Sequence, residues 1–416
     1  MNNRIERRIV IAGAGIAGLS VALAFRRVGH DVIVVERTQS LGTVGAGILV
    51  QANGLVVLDA LGLGNAVRAA GSSCRAFNLR DRHGHLLLRT DFDAVLPAQL
   101  CPISIHRAEL HRILWDACAA AGVSLQLGHT VKRVEPNESQ PSLVCETGNG
   151  EIRIRGDFVI GADGVKSVVR DTGGFVSHLD PIVEGSVQGV APFSLPEHLY
   201  GEYFGGGEAC GMLPLGGAQT FWFWGGSGKT VSGIEGMPFP EWKARVCKSF
   251  LPMHQVLDYQ KEWGSLVRLI HRSVRCASWS RGHVVLIGDA AHAMSPNLGQ
   301  GANCALVDAL ALVCHVEALP ANPEKALKQF EQNRRPLVEA IQQRGHEEGV
   351  LGTQAWPGAE LLFNLLIRLA RFTSGARHRA EIRMLSGLDH EGFDLDAIGI
   401  EPPVPWLPHP LRKDYA

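Results

Sequence analysis

The sequence predicts an α/β protein with a largely parallel sheet, a separate and mostly antiparallel sheet, and a helical C-terminal region. Three observations support this class. The chain opens with a strand, a helix and a second strand; a similar strand, loop and helix recur near residue 284; and residues 181–235 are rich in glycine, proline and aromatic residues. Strands alternating with helices are typical of a parallel sheet, whereas short strands between turn residues are typical of an antiparallel one.

Composition places the 416-residue chain among ordinary globular proteins. Hydrophobic residues make up 46%, charged residues 19%, and the formal net charge is −1, which argues against nucleic-acid binding. The nine cysteines are scattered without a C-x-x-C pair, which predicts reduced, buried thiols and neither a disulfide framework nor a metal site. No signal peptide and no membrane span are expected, so we predict a cytoplasmic protein.

The elements follow from local patterns in chain order. Residues 7–13 are a β-branched run, residues 16–28 carry apolar residues at helical spacing, and residues 31–36 are a second strand. Strands are also expected within 130–160, 181–235 and 284–289. Further helices are expected over 53–70, 107–121, 301–319, 324–345 and 359–372, followed by an extended proline-rich tail.

A glycine-rich turn, Gly13-Ala-Gly-Ile-Ala-Gly18, joins the first strand to the first helix. Gly13 permits the tight turn, Gly15 lets the backbone approach a pyrophosphate, and Gly18 permits close packing of the helix on the strand. The helix N-terminus offers free N–H groups and a positive dipole end to phosphates. Glu36 ends the second strand, where an acidic residue binds ribose hydroxyls. The pattern predicts a bound dinucleotide.

Three further segments favour FAD over NAD as that dinucleotide. They are residues 157–170, with Asp163, residues 282–292, with Asp289, and residues 296–303. Asp289 lies at a strand end before a turn and could hold a ribityl hydroxyl. The helix that begins near Gly301 would present N–H groups to an electron-rich centre such as a reduced flavin ring.

The combination of GAGIAG, GADG, GDAAH and PNLGQGAN resembles the single-component, class A FAD-dependent monooxygenases, the para-hydroxybenzoate hydroxylase-like family, over roughly residues 5–345. The segments 45–48 and 105–111 resemble the branch with salicylate and 3-hydroxybenzoate hydroxylases, urate hydroxylase and zeaxanthin epoxidase. The resemblance implies non-covalently bound FAD, NAD(P)H as a transient co-substrate, O2, and hydroxylation of an aromatic or other electron-rich hydrophobic molecule through a flavin C4a-hydroperoxide. It does not choose between NADH and NADPH.

The resemblance also implies an arrangement of the chain. It predicts a Rossmann-like FAD-binding domain with an inserted, mostly antiparallel substrate domain and a helical C-terminal region. The FAD-binding domain would comprise residues 1–72, 101–180 and 280–345, the substrate domain 73–100 and 181–279, and the C-terminal helices and tail 346–416. The protein is expected to be a monomer or a homodimer.

By the same resemblance, individual residues receive cofactor roles, and the loop that begins at Pro296 is expected nearest the flavin-centred chemistry. Glu36 binds the adenosine ribose, Arg107 reaches the FAD, the backbone near Val131 contacts adenine, Asp163 serves both FAD and NAD(P)H, Asp289 binds the ribityl chain, and Ala302 and Asn303 lie against the pyrimidine ring. The full predicted set is Gly13, Gly15, Ala17, Gly18, Glu36, Arg37, Gly47, Arg107, Val131, Asp163, Asp289, Pro296, Gly299, Gly301, Ala302 and Asn303.

The substrate residues are expected on the antiparallel sheet. Alternate residues of a strand face opposite sides, so one pair of the run Phe221-Trp222-Phe223-Trp224 would line a pocket while the other packs outward. The sequence does not decide which pair, and all four could belong to a core. Gln188 is a further candidate, on a first strand, Ser186–Val190, without a cation, which weakens any inference of a carboxylate substrate.

Several alternatives stay open at this point. An epoxidase, an oxidase or reductase without oxygen insertion, and a non-redox flavin-binding protein would share this framework. Arg107 could be a surface arginine, and His292 is expected to be a buried structural residue. Val307-Asp308 stands where relatives often carry Glu-Asp, which is expected to alter only helix packing.

Overall fold

The computed structural model describes residues 5–40, 46–94, 96–136, 140–180, 184–352, 358–370 and 383. The strands are β1 Arg8–Ala12, β2 Asp31–Glu36, β3 Gly47–Val50, β4 Ser72–Ser73, β5 Ala76–Asp81, β6 Leu86–Asp91, β7 Ile103–His106, β8 Ser124–Leu127, β9 Thr130–Glu135, β10 Ser142–Thr147, β11 Gly150–Arg155, β12 Phe158–Gly161, β13 Ser177–Leu179, β14 Glu184–Ala191, β15 Gly201–Gly205, β16 Glu208–Leu215, β17 Gln219–Ser227, β18 Val267–His271, β19 Val274–Cys276, β20 Ser280–Arg281 and β21 Val284–Leu286. The helices are α1 Ile16–Arg27, α2 Ala52–Ala60, α3 Gly64–Ala70, α4 Arg107–Ala120, α5 Val168–Thr172, α6 Gly228–Ser232, α7 Phe239–Ser249, α8 His254–Leu257, α9 Asp289–His292, α10 Gly301–Ala318, α11 Pro323–Gly352 and α12 Ala359–Ala370.

A six-stranded sheet in the order β20-β21-β12-β1-β2-β8 forms the first layer of the molecule. The strands β21, β12, β1, β2 and β8 are parallel, and β20 is an antiparallel edge strand. Helices α1 and α10 pack together beside this sheet, and the small antiparallel sheet of β9, β10 and β11 contacts β1. The parallel strands are covered on both faces, which explains why residues 9–12 of β1 and all of β21 are apolar and buried.

A seven-stranded sheet in the order β18-β14-β17-β16-β15-β5-β6 forms the second layer. All its neighbours are antiparallel except β15 and β5, which are parallel. Its strands come from two separated stretches of the chain, 76–91 and 184–271. Helices α6, α7 and α8 cover one face, where tryptophans and other apolar residues form a second core.

Two of the predicted helices differ from the sequence expectation, and the short helices α5, α6, α8 and α9 and the longer α7 were not predicted. The helix expected over 53–70 is two helices, because Gly62 adopts a left-handed φ of +62° between α2 and α3. The helix expected to end at 345 continues as α11 to Gly352. The proline-rich tail lies outside the described residues. Within the described part of the chain, α10 alone is long and apolar enough to cross a membrane, and 72% of it is buried in the protein, as in a core helix.

Candidate functional site

The carboxyl ends of three neighbouring parallel strands meet at one edge of the six-stranded sheet. The fingerprint turn follows β1, Asp163 follows β12, and Asp289 follows β21. A Cβ added to Gly13 would lie 2.5 Å from the carbonyl oxygen of Ala162, so the first two turns are in close contact. A Cβ added to Gly288 would lie 3.0 Å from Cβ of Ala17, which brings the third turn against α1. Ligands of open α/β sheets bind at such an edge.

The three fingerprint glycines are needed for different reasons. Gly13 has a left-handed φ of +98°, and a Cβ on Gly18 would lie 1.9 Å from the carbonyl oxygen of Gly13. A Cβ on Gly15, in contrast, meets no atom within 4 Å. Packing within the protein therefore requires Gly13 and Gly18 but not Gly15. The open space before the first N–H groups of α1, whose first turn has no acidic residue, fits a pyrophosphate.

Glu36 is held against the fingerprint turn by hydrogen bonds. Its carboxylate accepts bonds from the backbone N–H groups of Ala14 and Thr38, each at 3.0 Å. The N–H of His129 donates to the carbonyl oxygen of Glu36, which brings the start of β9, with Val131, beside the end of β2. Glu36 and Val131 therefore lie at the same end of the site, where an adenosine would sit. The neighbouring Arg37 side chain is exposed.

The carboxylate of Asp163 is engaged within the protein. It accepts hydrogen bonds from Ser167 Oγ at 2.5 Å and from the N–H groups of Val168 and Val169 at 2.7 and 3.1 Å. Burial raises the pKa of Asp163 above its ordinary value, although these bonds act in the opposite direction. The visible role of Asp163 is therefore to join the GADG loop to the start of α5. Contact with FAD or NAD(P)H stays a prediction.

Asp289 is exposed, and no other described residue bonds to its side chain. The turn that carries Asp289 is fixed by hydrogen bonds to Asp308 of α10. The Asp308 carboxylate accepts hydrogen bonds from Gly288 N–H at 3.0 Å and from His292 Nε2 at 2.6 Å, and its other oxygen accepts one from Arg334 Nε at 3.1 Å. Asp289 is thus free to meet a ligand while the turn behind it is rigid.

Asp308 has a larger role than the sequence suggested. Burial alone would raise the pKa of Asp308, but the charges of His292 and Arg334 and the hydrogen bonds outweigh it and leave that pKa below its ordinary value. Val307, the residue that departs from the Glu-Asp of relatives, is buried in α10, and the expectation that this change alters only helix packing stays a prediction. Asp308 itself joins α10, α11 and the Gly288 turn. His292 is buried, as expected.

The loop before α10 is braced by buried amide side chains. Gln51 Nε2 donates to the carbonyl oxygen of Leu298 at 2.7 Å, Gln300 Nε2 donates to Gln51 Oε1 at 3.0 Å, and Asn53 Nδ2 donates to Gln300 Oε1 at 2.9 Å. Gly299 ends the short turn that begins at Pro296 and has a left-handed φ of +62°. This loop therefore has one defined shape beside the start of α10. Sequence reasoning missed Gln51 and Asn53, since they are distant along the chain from the loop.

The Asn303 side chain belongs to the same network. Its Oδ1 accepts from the Gln51 N–H at 3.0 Å, and its Nδ2 donates to the carbonyl oxygens of Leu49 and Gly299 at 3.1 and 2.8 Å. What α10 offers to a ligand is its backbone, because the N–H groups of Gly301, Ala302 and Asn303 have no intrahelical acceptor. Its first turn has no acidic residue. These groups fit a ring that carries negative charge.

Arg107 begins α4 next to the strand that carries Gly47. Its side chain is exposed and makes no hydrogen bond or ion pair with any described residue, while its backbone N–H donates to the carbonyl oxygen of Ala46 at 2.9 Å. In the same helix, His111 Nε2 donates to the carbonyl oxygen of Ala14 at 2.6 Å and braces the fingerprint turn. The guanidinium of Arg107 is therefore available to a ligand, and its role in FAD binding stays a prediction.

The structure decides which aromatic pair of β17 faces the segment with Ala46 and Gly47, which is predicted to hold the flavin. Phe221 and Phe223 lie on the face that contacts Ala46, and a Cβ on Gly47 would lie 2.4 Å from Phe221 Cγ. Trp222 and Trp224 are fully buried on the other face, in the core beneath α7. The expectation that the pair turned away from the pocket packs outward was therefore wrong, because Trp222 and Trp224 are buried in a core. Neither tryptophan can line a pocket on the Phe221 face.

Polar residues also lie on the Phe221 face, and sequence reasoning missed most of them. Gln188 Nε2 donates to Ser186 Oγ at 3.2 Å, and Ser186 Oγ and His271 Nε2 are hydrogen-bonded at 3.0 Å. Burial lowers the pKa of His271 to about 4, so this imidazole is neutral at pH 7. Glu202 of β15 lies on the same face. Strand alternation from Gln188 would have indicated Ser186, but nothing local indicates His271 or Glu202.

An open groove of about 1210 Å³ runs beside the end of this face. His106 and Glu109, at the start of α4, form one wall, and Val190 and Gln219 of the seven-stranded sheet form the other. The groove therefore lies between the start of α4, where Arg107 is located, and the seven-stranded sheet.

Comparison with known proteins shows which family the chain belongs to. The FAD binding domain family matches residues 6–345, most of the chain. The chain belongs to this family. It is 34% identical over 358 residues to the 3-amino-4-hydroxybenzoate 2-monooxygenase of Streptomyces cremeus, covering 81% of this chain and 85% of that protein. It is 29% identical over 397 residues to the 2-heptyl-3-hydroxy-4(1H)-quinolone synthase of Pseudomonas aeruginosa, covering 91% and 98%.

A solved structure supports the fold. The crystal structure of Klebsiella pneumoniae HpxO complexed with FAD and uric acid matches with a TM-score of 0.79 at 21% identity, over 93% of this chain and 98% of that chain. The predicted α/β flavoprotein fold, the family and the FAD requirement are therefore confirmed. The protein is an FAD-dependent monooxygenase with NAD(P)H and O2 as co-substrates.

Proposed function

We propose that this monooxygenase hydroxylates an aromatic small molecule between the Phe221 face of the seven-stranded sheet and the loop that begins at Pro296. The observation that carries this proposal is the packing of that face against Ala46 and Gly47, because it sets apolar rings opposite the elements predicted to hold the flavin. Flat apolar walls with few polar groups suit an aromatic substrate. The relatives named for 3-amino-4-hydroxybenzoate and for a quinolone also act on aromatic compounds.

The residues predicted to hold FAD fall into four groups along the sheet edge. The turn at Gly15 and the start of α1 would hold the pyrophosphate. Glu36, Arg37 and Val131 would surround the adenosine, and Asp289 would bind the ribityl chain. The start of α10 would lie against the pyrimidine ring, with Gly47 and Arg107 near the opposite side. Open space at Gly15 and the free Asp289 carboxylate support this placement.

Bound FAD supplies hydride acceptance from NAD(P)H and activation of O2. The chain itself supplies position and electrostatics. The first N–H groups of α10 stabilise negative charge, and they need no reorganisation because Gln51 and Asn303 fix the loop before them. Phe221 and Phe223 hold the substrate and exclude water.

The arrangement of the whole protein is part of the proposal. The segments 73–100 and 181–279 form the substrate domain, and 1–72, 101–180 and 280–345 form the FAD-binding domain. The substrate sheet drawn from 76–91 and 184–271 supports this division. The proposed arrangement also includes a C-terminal region, residues 346–416. We propose that the protein is cytoplasmic and is a monomer or a homodimer.

The test is oxygen insertion measured with a matched pair of variants. Phenols, indoles and quinolones are screened for stimulated NAD(P)H oxidation under 18O2, and product mass is recorded. We expect one labelled oxygen atom in the product. Phe223→Ala should consume NAD(P)H but release hydrogen peroxide in place of product, because it opens the substrate face to water. Trp222→Phe, on the opposite face, should stay coupled. A product without label from O2 would refute the hydroxylation.

A further inference from the structure

One row of residues crosses four strands on the Phe221 face. Gln188 of β14 pairs with Phe223 of β17, Phe223 with Gly211 of β16, and Gly211 with Glu202 of β15. Directly opposed residues of antiparallel strands share a face, so the three side chains lie on one face, with Gly211 between Phe223 and Glu202. A Cβ on Gly211 would lie 2.3 Å from Phe223 Cε1. The Phe223 ring therefore lies over Gly211, toward Glu202.

The row lies between two places where this face is covered. At one end of β14, Glu184 accepts hydrogen bonds from Ser295 Oγ at 2.9 Å and Asn297 Nδ2 at 3.0 Å, beside the Pro296 loop. In the other direction, two residues along β17 from Phe223, Phe221 contacts Gly47. Gln188, Phe223 and Glu202 stay partly exposed between these contacts, whereas Trp222 and Trp224 on the other face are fully buried. The row therefore faces the gap between the sheet and the FAD-binding elements.

The two acidic residues that strands β14 and β15 place on this face differ in their surroundings. Glu184 is hydrogen-bonded through both carboxylate oxygens, whereas no described residue donates a hydrogen bond to Glu202 or forms an ion pair with it. Burial, with a smaller contribution from the negative charge of Glu348, raises the pKa of Glu202 to about 8. The carboxyl group of Glu202 thus lacks a partner within the described part of the protein.

The same face carries no positive charge to receive a carboxylate. The four strands β14, β15, β16 and β17 are described in full, and none of their residues on the Phe221 face is a lysine or an arginine. A substrate carboxylate at that point would find no positive charge on these strands, and an unpaired charge in a poorly solvated space opposes binding. An N–H or O–H group at that point would instead satisfy the carboxyl group.

We propose that Glu202 selects the substrate of this enzyme by accepting a hydrogen bond from an N–H or O–H group on an aromatic ring that lies against Phe223. The substrate is then a neutral or cationic ring, such as an N–H heterocycle or an aminophenol, and not a benzoate. This inference rests on the proposed function, because it requires the substrate to lie on the Phe221 face.

The test compares ligand binding in holoenzyme variants. The probes are 4-hydroxyquinoline and 2-aminophenol, which offer N–H or O–H donors, and salicylate and 3-hydroxybenzoate, which add a carboxylate. Binding is followed by the change in the visible spectrum of the bound flavin, and KM by NAD(P)H oxidation. Wild-type protein should prefer the first pair. Glu202→Leu should weaken their binding about 10- to 100-fold, as expected for a hydrogen bond to a charged or strongly polar group. Glu202→Gln should lose less, and Glu202→Arg should favour the carboxylates.

Glu197→Gln is the matched control, because it removes one acidic group from an exposed position outside this face. FAD content and thermal unfolding show that each variant is folded. Equal binding of both probe pairs, no spectral response to the first pair, or unchanged affinities in both Glu202→Leu and Glu202→Gln would overturn the role of Glu202. Selective binding without 18O in the product would refute hydroxylation alone, whereas labelled product with unchanged selectivity would refute the role of Glu202 alone.

Discussion

Replacing Asp308 by asparagine tests how the fold holds the turn that carries Asp289. Asp308 is 0% exposed, and its carboxylate bonds to Gly288 N–H, His292 Nε2 and Arg334 Nε. These partners belong to two separate segments of the chain, the Gly288–His292 turn and α11. Asp308→Asn preserves the size of the side chain, but it removes the charge and turns one acceptor oxygen into an N–H donor facing other donors.

The structure sets the expected magnitude. Removing one partner of a buried ion pair costs about 3–5 kcal/mol, because the remaining charge keeps its desolvation penalty. The urea m value rises with chain length to the upper end of the range of about 1–3 kcal/mol/M or above it, so the unfolding midpoint should fall by about 1 M. The affinity for FAD should fall as well, since the Gly288 N–H loses the acceptor that fixes the turn before Asp289.

The assay is urea unfolding of the apoprotein, together with FAD titration by flavin fluorescence. Asp116→Asn is the control, because Asp116 is 57% exposed and forms a surface ion pair with Arg112, so its loss should leave the midpoint nearly unchanged. The native pKa of Asp308 is lowered, so its stabilising contribution is present above the unfolded pKa of about 3.9 and is lost as the pH falls through the native pKa. The difference between wild type and Asp308→Asn should therefore persist from pH 5 to 8 and shrink in acid. Equal midpoints for the two variants at pH 7 would refute the reasoning.

Three further predictions concern the fingerprint, α4 and the thiols. Gly15→Val should lose FAD yet keep the thermal stability of the apoprotein, whereas Gly18→Ala should destabilise the apoprotein, because only the second Cβ meets backbone within the protein; equal melting temperatures would contradict this. Arg107→Ala should weaken FAD binding about 10-fold or more by removing a charge-assisted bond without changing stability, since its exposed side chain has no described protein partner; unchanged FAD affinity and turnover would make it a surface residue. All nine cysteines are free and buried, and burial raises the pKa of Cys74, Cys118 and Cys304 to about 12, so at pH 8 a thiol reagent should label the native protein far more slowly than the urea-unfolded one.

The elements closest to the fingerprint could be predicted because their signals are local. A β-branched run, a glycine turn and an amphipathic helix occupy residues 7–28, and the structure has β1 and α1 there. Gly13 is required by its left-handed backbone conformation, and Gly18 by its contact with the Gly13 carbonyl oxygen. Both requirements lie within six consecutive residues, so a short motif can show them. The break of the helix expected over 53–70 was missed because one glycine within an apolar run does not by itself show which φ it adopts.

The candidate substrate face could be predicted only in part. Strand alternation showed that Phe221 and Phe223 share one face and that Trp222 and Trp224 share the other. It did not show which face meets Ala46, because that depends on where the helices α6, α7 and α8 pack. The same limit hid Glu202, whose neighbours depend on the register of four strands.

The sequence by itself determined the fold class, the family, the FAD requirement and the order of the glycine turns, because each motif that indicates them is a short run of consecutive residues. Tertiary structure alone decided that Phe223 lies on the face that contacts Ala46, that Asp308 braces the Asp289 turn from α10, and that Asn303 bonds to Gln51. These contacts join residues far apart in the chain. Their geometry is set by strand register and by the packing of helices on sheets, and a local pattern carries no record of either.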